Sequence, residues 1–427
     1  MKQGKGATMH HPREHPLFRS PINRRDFIRR SAATTAGLSG MAALLAACGG
    51  GNGSSASGIE IASRENPSTL PLSDDNPSIE SGLEPEPGPL RIYNWADYVW
   101  PKVVKDFAAE YDVDFEITTF YNMSEAVAKI RTGQVDFDIF FPTVDPTPKL
   151  VAAGLLQPLN HDYLPNLEAN VWPELADPFY DQGSRYTVPY TIYTTGIAWR
   201  SDMVDQDIPA MDNPYDILWD PANTGKVGIY DDYREAMTMV LLRNGVEDIN
   251  TDDPEQINMA RDQLIEMADA VNVRTTIDGT YSGIPEGRFA IHQAWSGDIV
   301  AAPFFFPKAD YGDPKGLLQF WWPSDGTIGS DMMAIPKSAK SPILAHHFLN
   351  FMLDNKHAVE NFSWVGYQPP LTSLDPDQLV KDGYVVPNLK SAIVEKENFD
   401  TGIVQTTLAP EVDQTWQNAW SDFKSGV

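Results

Sequence analysis

The alternation of short apolar runs with helix-spaced segments between residues 90 and 153 constrains this chain most. Residues 90–99 (Leu-Arg-Ile-Tyr-Asn-Trp-Ala-Asp-Tyr-Val) open with Leu90, Ile92 and Tyr93, which fit a buried strand. They end in an aromatic and acidic cluster: Trp95, Asp97 and Tyr98. Pro101–Tyr111 follows, with Val103, Val104, Phe107 and Ala108 on one helical face. Next come a strand over 113–119, a helix over 124–133 stopped by Gly133, a strand over 136–143 ending in Thr143, and a helix over 146–153. Parallel neighbours need a crossover that a helix supplies, so this order predicts an α/β chain with parallel strands. Ligands collect at the carboxyl ends of such strands. The Trp95–Tyr98 cluster is therefore a candidate site, although its composition alone favours simple packing.

The second half repeats the theme. Residues 186–199 are β-branched and aromatic, contain Gly196, and read as a strand passing from a first lobe into a second. A strand over 227–230 and a helix over 234–243 follow. Asp253 reads as the N-cap of a long helix, with Pro254 in its first turn, Gln256 in the capping-box position, and Ile257, Ala260, Leu264 and Met267 on its buried face. Residues 289–295 and 319–323 read as strands, and 327–336 as a strand crossing back to the first lobe. In the amphipathic helix over 343–353, His346 and His347 point about 100° apart and read as a solvent face rather than a metal pair. The tail from 379 reads as mostly helical, with Trp416 and Trp420 in a core. A length of 427 residues suits two lobes.

The N-terminus reads as an export address. Asn23-Arg24-Arg25-Asp26-Phe27 precedes a modest apolar run that ends in Leu45-Ala46-Ala47-Cys48. Paired arginines before Phe27 resemble a twin-arginine signal, and Leu-Ala-Ala-Cys resembles a lipobox whose cysteine takes acyl chains. Cys48 is the sole cysteine, which rules out an intrachain disulfide and a multi-cysteine metal site. Residues 49–88, rich in Gly, Ser, Pro and acids, read as a disordered tether of about forty residues, spanning roughly 30–40 Å as a coil. The chain carries −27; residues 1–48 hold eight Lys/Arg against two Asp/Glu, which leaves −33 on the remainder. That balance disfavours nucleic acid and anionic lipid surfaces and favours small cations.

Signals of catalysis are few. No Gly-x-Ser-x-Gly elbow and no His-Glu-x-x-His occur. Gly225-Lys226 is not a phosphate loop, because the glycine required earlier is Asp220. Paired carboxylates of an exported hydrolase stay open as an alternative, since acids are plentiful. What recurs is an aromatic beside an acid at a strand end: Trp95 with Asp97 and Tyr98, Tyr230 with Asp232 and Glu235, Trp295 with Asp298, and Asp331 after Phe320-Trp321-Trp322. Each alone reads as surface chemistry. Together they fit a pocket for a small organic cation, with carboxylates for ammonium groups and aromatic faces for methylenes.

These residues also carry a resemblance. From about Leu90 onward, Tyr93-Asn94-Trp95-Ala96-Asp97-Tyr98, Leu218-Trp219-Asp220-Pro221, Asp231-Asp232-Tyr233-Arg234-Glu235, Ala294-Trp295-Ser296-Gly297-Asp298, Trp322-Pro323-Ser324-Asp325-Gly326, Asp331 to Ala334-Ile335-Pro336, and Gly366-Tyr367 occur in order. The series resembles the spermidine/putrescine-binding lipoproteins of bacterial polyamine importers. The resemblance implies an α/β, two-lobed periplasmic-binding-protein fold with a hinge and a ligand cleft. It implies ligand contacts from Trp95, Asp97, Tyr98, Thr143, Asp232, Glu235, Trp295, Asp298, Asp331 and Tyr367. Two departures stand out: Gly329 where the family usually has an aromatic, and Val144-Asp145-Pro146 after Thr143 where an aromatic often stands.

The expected organisation is a signal peptide (1–48), a tether (49–88), a first lobe (89–193 plus 330–372) and a second lobe (194–329 plus 373–427). The expected role is non-enzymatic capture of a polyamine, putrescine or spermidine, without a cofactor or metal. The partners would be an ABC permease and its ATPase. The chain would be a monomer, exported to the periplasm or the outer face of the cell membrane and lipid-anchored at Cys48. Another solute, such as an amino acid or sugar, is the alternative ligand. A carboxylate-bearing one would need a cleft arginine, for which Arg234 is the candidate.

Overall fold

The computed structural model describes residues 61–133, 136–306 and 314–426, all within the compact unit Gly40–Val427. The export signal, Cys48 and residues 49–60 of the expected tether lie outside the described residues.

In the first lobe, β1 (Leu90–Trp95) lies between β2 (Phe115–Phe120) and β3 (Ile139–Phe140), parallel to both. Helix α1 (Pro101–Tyr111) makes the first crossover and buries Val103, Val104, Phe107 and Ala108, the face the spacing predicts. Each fully buried large side chain of this kind favours folding by ~1.5–3 kcal/mol. Helix α2 (Met123–Thr132) makes the second. Asn122 caps it by accepting from the N–H groups of Ser124 and Glu125, and Gly133 ends it at φ 58°, in the left-handed region. β3 is much shorter than the expected strand over 136–143. Asp138 explains this: wholly buried, it accepts the backbone N–H groups of Arg91, Lys340 and Ser341, each at 2.8 Å. The segment is thus tied to the chain ahead of the helix Pro342–Met352 instead of extending a ladder. Helix α3 (Thr147–Ala152) closes this part of the lobe.

The lobes are joined by β4 (Thr187–Arg200), an unbroken strand of 14 residues. Its first half pairs antiparallel with β9 (Ile328–Ala334), from Thr187↔Ala334 to Thr194↔Ile328. Its second half pairs with β7 (Ile291–Trp295), from Thr195↔Trp295 to Trp199↔Ile291, and with β8 (Leu318–Trp321). The change of partners falls between Thr194 and Thr195. Gly196 permits it: a Cβ there would lie 2.0 Å from the Trp321 carbonyl oxygen. β7 continues the sheet to β5 (Val227–Tyr230) and β6 (Arg274–Thr276), in the order β2-β1-β3-β9-β4-β7-β5-β6. The structure thus has the expected α/β, two-lobed form, with β4 and β9 as crossing segments.

Separate cores lie on either side of that crossing. The first includes Leu90, Ile92, Phe107, Val188, Leu344 and Phe348. The second includes Ile197, Ile229, Val240, Leu264, Trp416 and Phe423. Helix α4 (Tyr233–Arg243) and helix α5 (Pro254–Val271) cover the second-lobe strands, and helix α7 (Pro410–Ser425) packs on them; α6 denotes Pro342–Met352 of the first lobe. Trp416 is fully buried, whereas Trp420 is only partly covered. One buried ion pair spans the lobes: Lys149 Nζ of α3 meets Asp413 Oδ2 of α7 at 2.9 Å, and Tyr233 of α4 donates its hydroxyl to Asp413 Oδ1 at 2.6 Å.

Three expectations need correction. Residues 61–88, read as disordered tether, lie along the first lobe. Glu86 Oε2 accepts from the N–H groups of Ile343 and Leu344 at the start of α6, Asn76 donates to the Leu156 carbonyl, and Tyr186 donates to the Pro71 carbonyl. Arg64 donates to the carbonyls of Phe399 and Asp400, in a stretch of the C-terminal tail whose Phe399 packs into the first core. Poverty in apolar residues prevents this segment from building a core, but its backbone and caps still find partners. His346 is buried, not on a solvent face. Its Nδ1 donates to the Pro342 carbonyl at 2.7 Å and its Nε2 accepts from Asn160 N–H at 3.0 Å, while burial lowers its pKa to about 4. Most of α6 is apolar and buried, which leaves little solvent face for it. Finally, Asp253 caps α5 through Glu255 N–H at 2.9 Å, and Gln256 Oε1 has no partner, so no reciprocal capping box forms.

Candidate functional site

The strand ends assemble one aromatic and acidic cluster where β4 crosses between lobes. Tyr98, just past β1, donates its hydroxyl to Asp331 Oδ2 at 2.7 Å; Thr191 Oγ1 lies 2.6 Å from the same hydroxyl. Asp331 is on β9, paired with Thr191 of β4 and bridged to Thr143. It is only 6 % exposed, and its Oδ1 is buried with no hydrogen-bond partner. Burial pushes its carboxyl up to about 7, against smaller lowering by the hydroxyls of Tyr98 and Tyr193.

The second acid is held differently. Asp298 lies just past β7 and accepts from Tyr367 on Oδ1 and from Tyr230 on Oδ2, each at 2.7 Å. Burial pushes it up to about 7 as well. Tyr230, at the end of β5, also accepts the Trp295 N–H and stacks on the Trp295 ring, with centroids 3.7 Å apart and planes 15° apart. Tyr367 meets Tyr98 edge-on at 4.8 Å and Tyr193 edge-on at 5.7 Å; Tyr193 meets Trp295 edge-on at 6.2 Å. Aromatic rings therefore run continuously from Tyr98 in the first lobe to Tyr230 in the second. Among the described residues, the side-chain hydrogen-bond donors to Asp298 and Asp331 are tyrosine hydroxyls, not lysine or arginine.

Glu235 and Asp232 sit at the start of α4. Burial raises Glu235 to about 7, and the neighbouring Asp232 adds to the rise. Asp232 is the N-cap of α4, accepting from Glu235 N–H at 3.0 Å; burial raises its carboxyl. Thr143 directs its hydroxyl at Asp145 Oδ1, 2.6 Å away. Trp95 packs on Phe120 at 4.6 Å, with Nε1 buried and unpartnered. Asp97 is exposed, at φ 55°, and its charge contributes to the raised pKa of Tyr281 from the second lobe. Tyr98, Asp298, Asp331, Tyr367 and Trp295 thus form one contact network. Glu235 and Asp232 add charge to it from α4, and Thr143 adjoins Asp331 through backbone. Trp95 and Asp97 stand outside these hydrogen bonds.

Several residues in this cluster are not singled out by the sequence. Tyr193 lies inside what reads as a plain connecting strand. Tyr281 belongs to an irregular turn, Gly279–Gly283, with no motif. Asp145 reads only as a departure from an aromatic, yet its charge raises Asp331 and Asp232. Tyr230 is legible as part of the aromatic-acid texture, but its bond to Asp298 is not. Arg234, the candidate for a carboxylate ligand, points elsewhere: it donates to Thr406 O and Asn250 Oδ1 and lies 4.9 Å from the Trp416 ring. Among the described residues, no group of three ligating side chains is placed to hold a metal ion.

An uncharged chain of methylenes with an ammonium group suits this arrangement. Buried carboxylates lacking a protein cation favour a bound one, and ring faces tolerate alkyl groups while attracting cations. Comparison with known proteins agrees with the fold. The spermidine/putrescine-binding periplasmic protein 1 of Haemophilus influenzae is 26 % identical over 305 residues, covering 70 % of this chain and 80 % of that one. The putrescine-binding periplasmic protein PotF of Escherichia coli is 25 % identical over 360 residues, covering 81 % and 93 %. The crystal structure of the substrate-binding protein PotD from Streptococcus pneumoniae superposes with a TM-score of 0.63 at 24 % identity, covering 79 % of this chain and 98 % of that one. Residues 102–387 match the family described as bacterial extracellular solute-binding protein, and to that family this chain belongs.

Proposed function

We propose that the protein captures a polyamine, putrescine or spermidine, as the solute-binding component of an ABC importer, and performs no chemistry on it. One observation carries this reading: Asp331 Oδ1, a buried carboxylate oxygen with no donor from the protein, beside tyrosine rings. An ammonium group supplies the missing donor. Asp298, Glu235 and Asp232 would serve the other cationic end. Trp95, Tyr98, Trp295 and Tyr367 would flank the methylenes, with Asp97 and Thr143 at the rim. Relatives named for binding spermidine and putrescine support the choice of amine. Their periplasmic names support an exported location.

The finer organisation belongs to the same proposal. The lobes divide as 89–193 plus 330–372 and 194–329 plus 373–427. The twin-arginine-like signal exports the chain, Cys48 carries the lipid anchor, and a monomer docks on a permease driven by its ATPase. Titration calorimetry with putrescine and spermidine tests the central claim. Saturable heat with either amine is expected; no heat and no thermal shift with any di- or polyamine refutes it.

A further inference from the structure

Gly329 on β9 leaves a gap in the site, and Tyr193 of β4 fills it. The two residues are ladder partners. A Cβ built at Gly329 would lie 2.3 Å from Tyr193 Cζ, 2.4 Å from Cε2 and 2.7 Å from the hydroxyl oxygen. All three nearest atoms belong to that one side chain. The far end of the Tyr193 side chain therefore occupies the space that a Cβ at position 329 would take, and any other residue there would displace it.

The surroundings of Tyr193 point to a ligand. Burial raises its hydroxyl pKa well above the usual range, and four carboxylates add to this in the order Asp331, Glu235, Asp145 and Asp232. Those acids come from β9, from α4 and its cap, and from the loop ahead of α3, so Tyr193 stands between acids of both lobes. Its ring is neither fully buried nor free: it meets Trp295 and Tyr367 edge-on and keeps partial exposure. A ring face among acids from two directions is a surface on which an alkyl chain can lie while its ammonium ends reach the acids.

We infer that Tyr193 forms the central wall of the ligand slot and sets its width jointly with Gly329. The inference rests on the polyamine reading above. It predicts that the pair acts as a unit: a side chain at position 329 harms binding only by displacing the Tyr193 ring.

The test is a double-mutant cycle read by calorimetry with putrescine and spermidine, with thermal melting of the unliganded proteins as the fold control. Tyr193→Ala is expected to weaken binding about tenfold or more. Gly329→Ala is expected to weaken it comparably in the wild-type background. The added effect of Gly329→Ala should fall below about twofold once Tyr193 is alanine, because the clash is then absent. If Tyr193→Ala fails to fold, Tyr193→Leu replaces it in the cycle, keeping bulk without a π-face. Wild-type affinity in the Tyr193 variant, or an undiminished Gly329→Ala effect in its background, overturns the inference while leaving the polyamine reading intact. A wild-type protein that binds neither amine overturns both.

Discussion

Acidification from pH 8 to pH 5 should drain the cleft of its affinity for amines while stabilising the empty protein. Asp331, Asp298 and Glu235 are each raised to about 7 by burial. The ligand's ammonium groups keep their protons throughout, so the pH dependence comes from the carboxylates. A site acid of pKa about 7 is ionised mostly at pH 8 and only about 1 % at pH 5. Each carboxylate that must be charged to hold the ligand then costs on the order of a hundredfold in affinity over that range, or roughly 3 kcal/mol. One such acid gives a slope of about one decade per pH unit below 7, and two give about two decades. The sign for folding runs the other way. These acids bind protons more tightly when folded than when unfolded, so their stabilising contribution is fully present near pH 4 and is lost as pH rises through 7. The unliganded melting temperature should gain from these groups as pH falls from 8 towards 5, while the shift produced by saturating spermidine shrinks. Calorimetry and thermal melting across pH 5–8 read both quantities on the same samples. Affinity that stays flat, or rises, on acidification refutes the argument that buried, unpaired carboxylates hold the ligand.

Asp331→Asn should weaken binding by about 2 kcal/mol or more, roughly thirtyfold, because a buried ammonium then lacks its charged partner; unchanged affinity in calorimetry removes Asp331 from the site. Asp138→Ala should cost about 2–5 kcal/mol in urea unfolding, since three backbone N–H groups lose one buried acceptor. Lys149→Met leaves Asp413 buried without its cation and should cost about 3–5 kcal/mol by the same assay, even though Asp413 keeps its Tyr233 hydroxyl contact; no loss would contradict the buried pair. Glu86→Ala should lower stability by about 0.5–2 kcal/mol through loss of the α6 cap, and no measurable change would contradict the ordered course of residues 61–88.

The first lobe is legible from the chain because its strands and helices are local and periodic. α1 and its four buried residues follow from spacing alone, and Gly133 ends α2 where expected. The strand over 136–143 fails because Asp138 finds its partners some two hundred residues away, at Lys340 and Ser341. Residues 61–88 mislead for a related reason: low hydrophobicity predicts disorder, but caps and carbonyl contacts need no apolar content. The aromatic-acid texture marks Trp295, Asp298 and Asp331, since both residue types recur at strand ends. Tyr193 leaves no such mark, because its meaning depends on lying opposite Gly329 in the ladder. Register between strands nearly 140 residues apart is not written in either strand alone. Asp232 shows the converse, a residue singled out for its charge whose observed hydrogen bond is that of a helix cap.

β4 also dictates how far each part of the cleft travels when one lobe swings on the other. The strand is continuous through the change of partners at Thr194 and Thr195, so a swing is a flexing of this ladder rather than the opening of a loop. Travel grows with lever arm. Tyr193 lies on the pivot strand, and Asp331 lies one strand away, about 5 Å. Trp95 and Asp97, at the end of β1, lie three strands out, about 14 Å, and α4 with Glu235 begins two strands out on the other side, about 10 Å. The short arms stay nearly in place while the long arms sweep. An arriving solute therefore meets a standing seat at the pivot before the outer residues reach it.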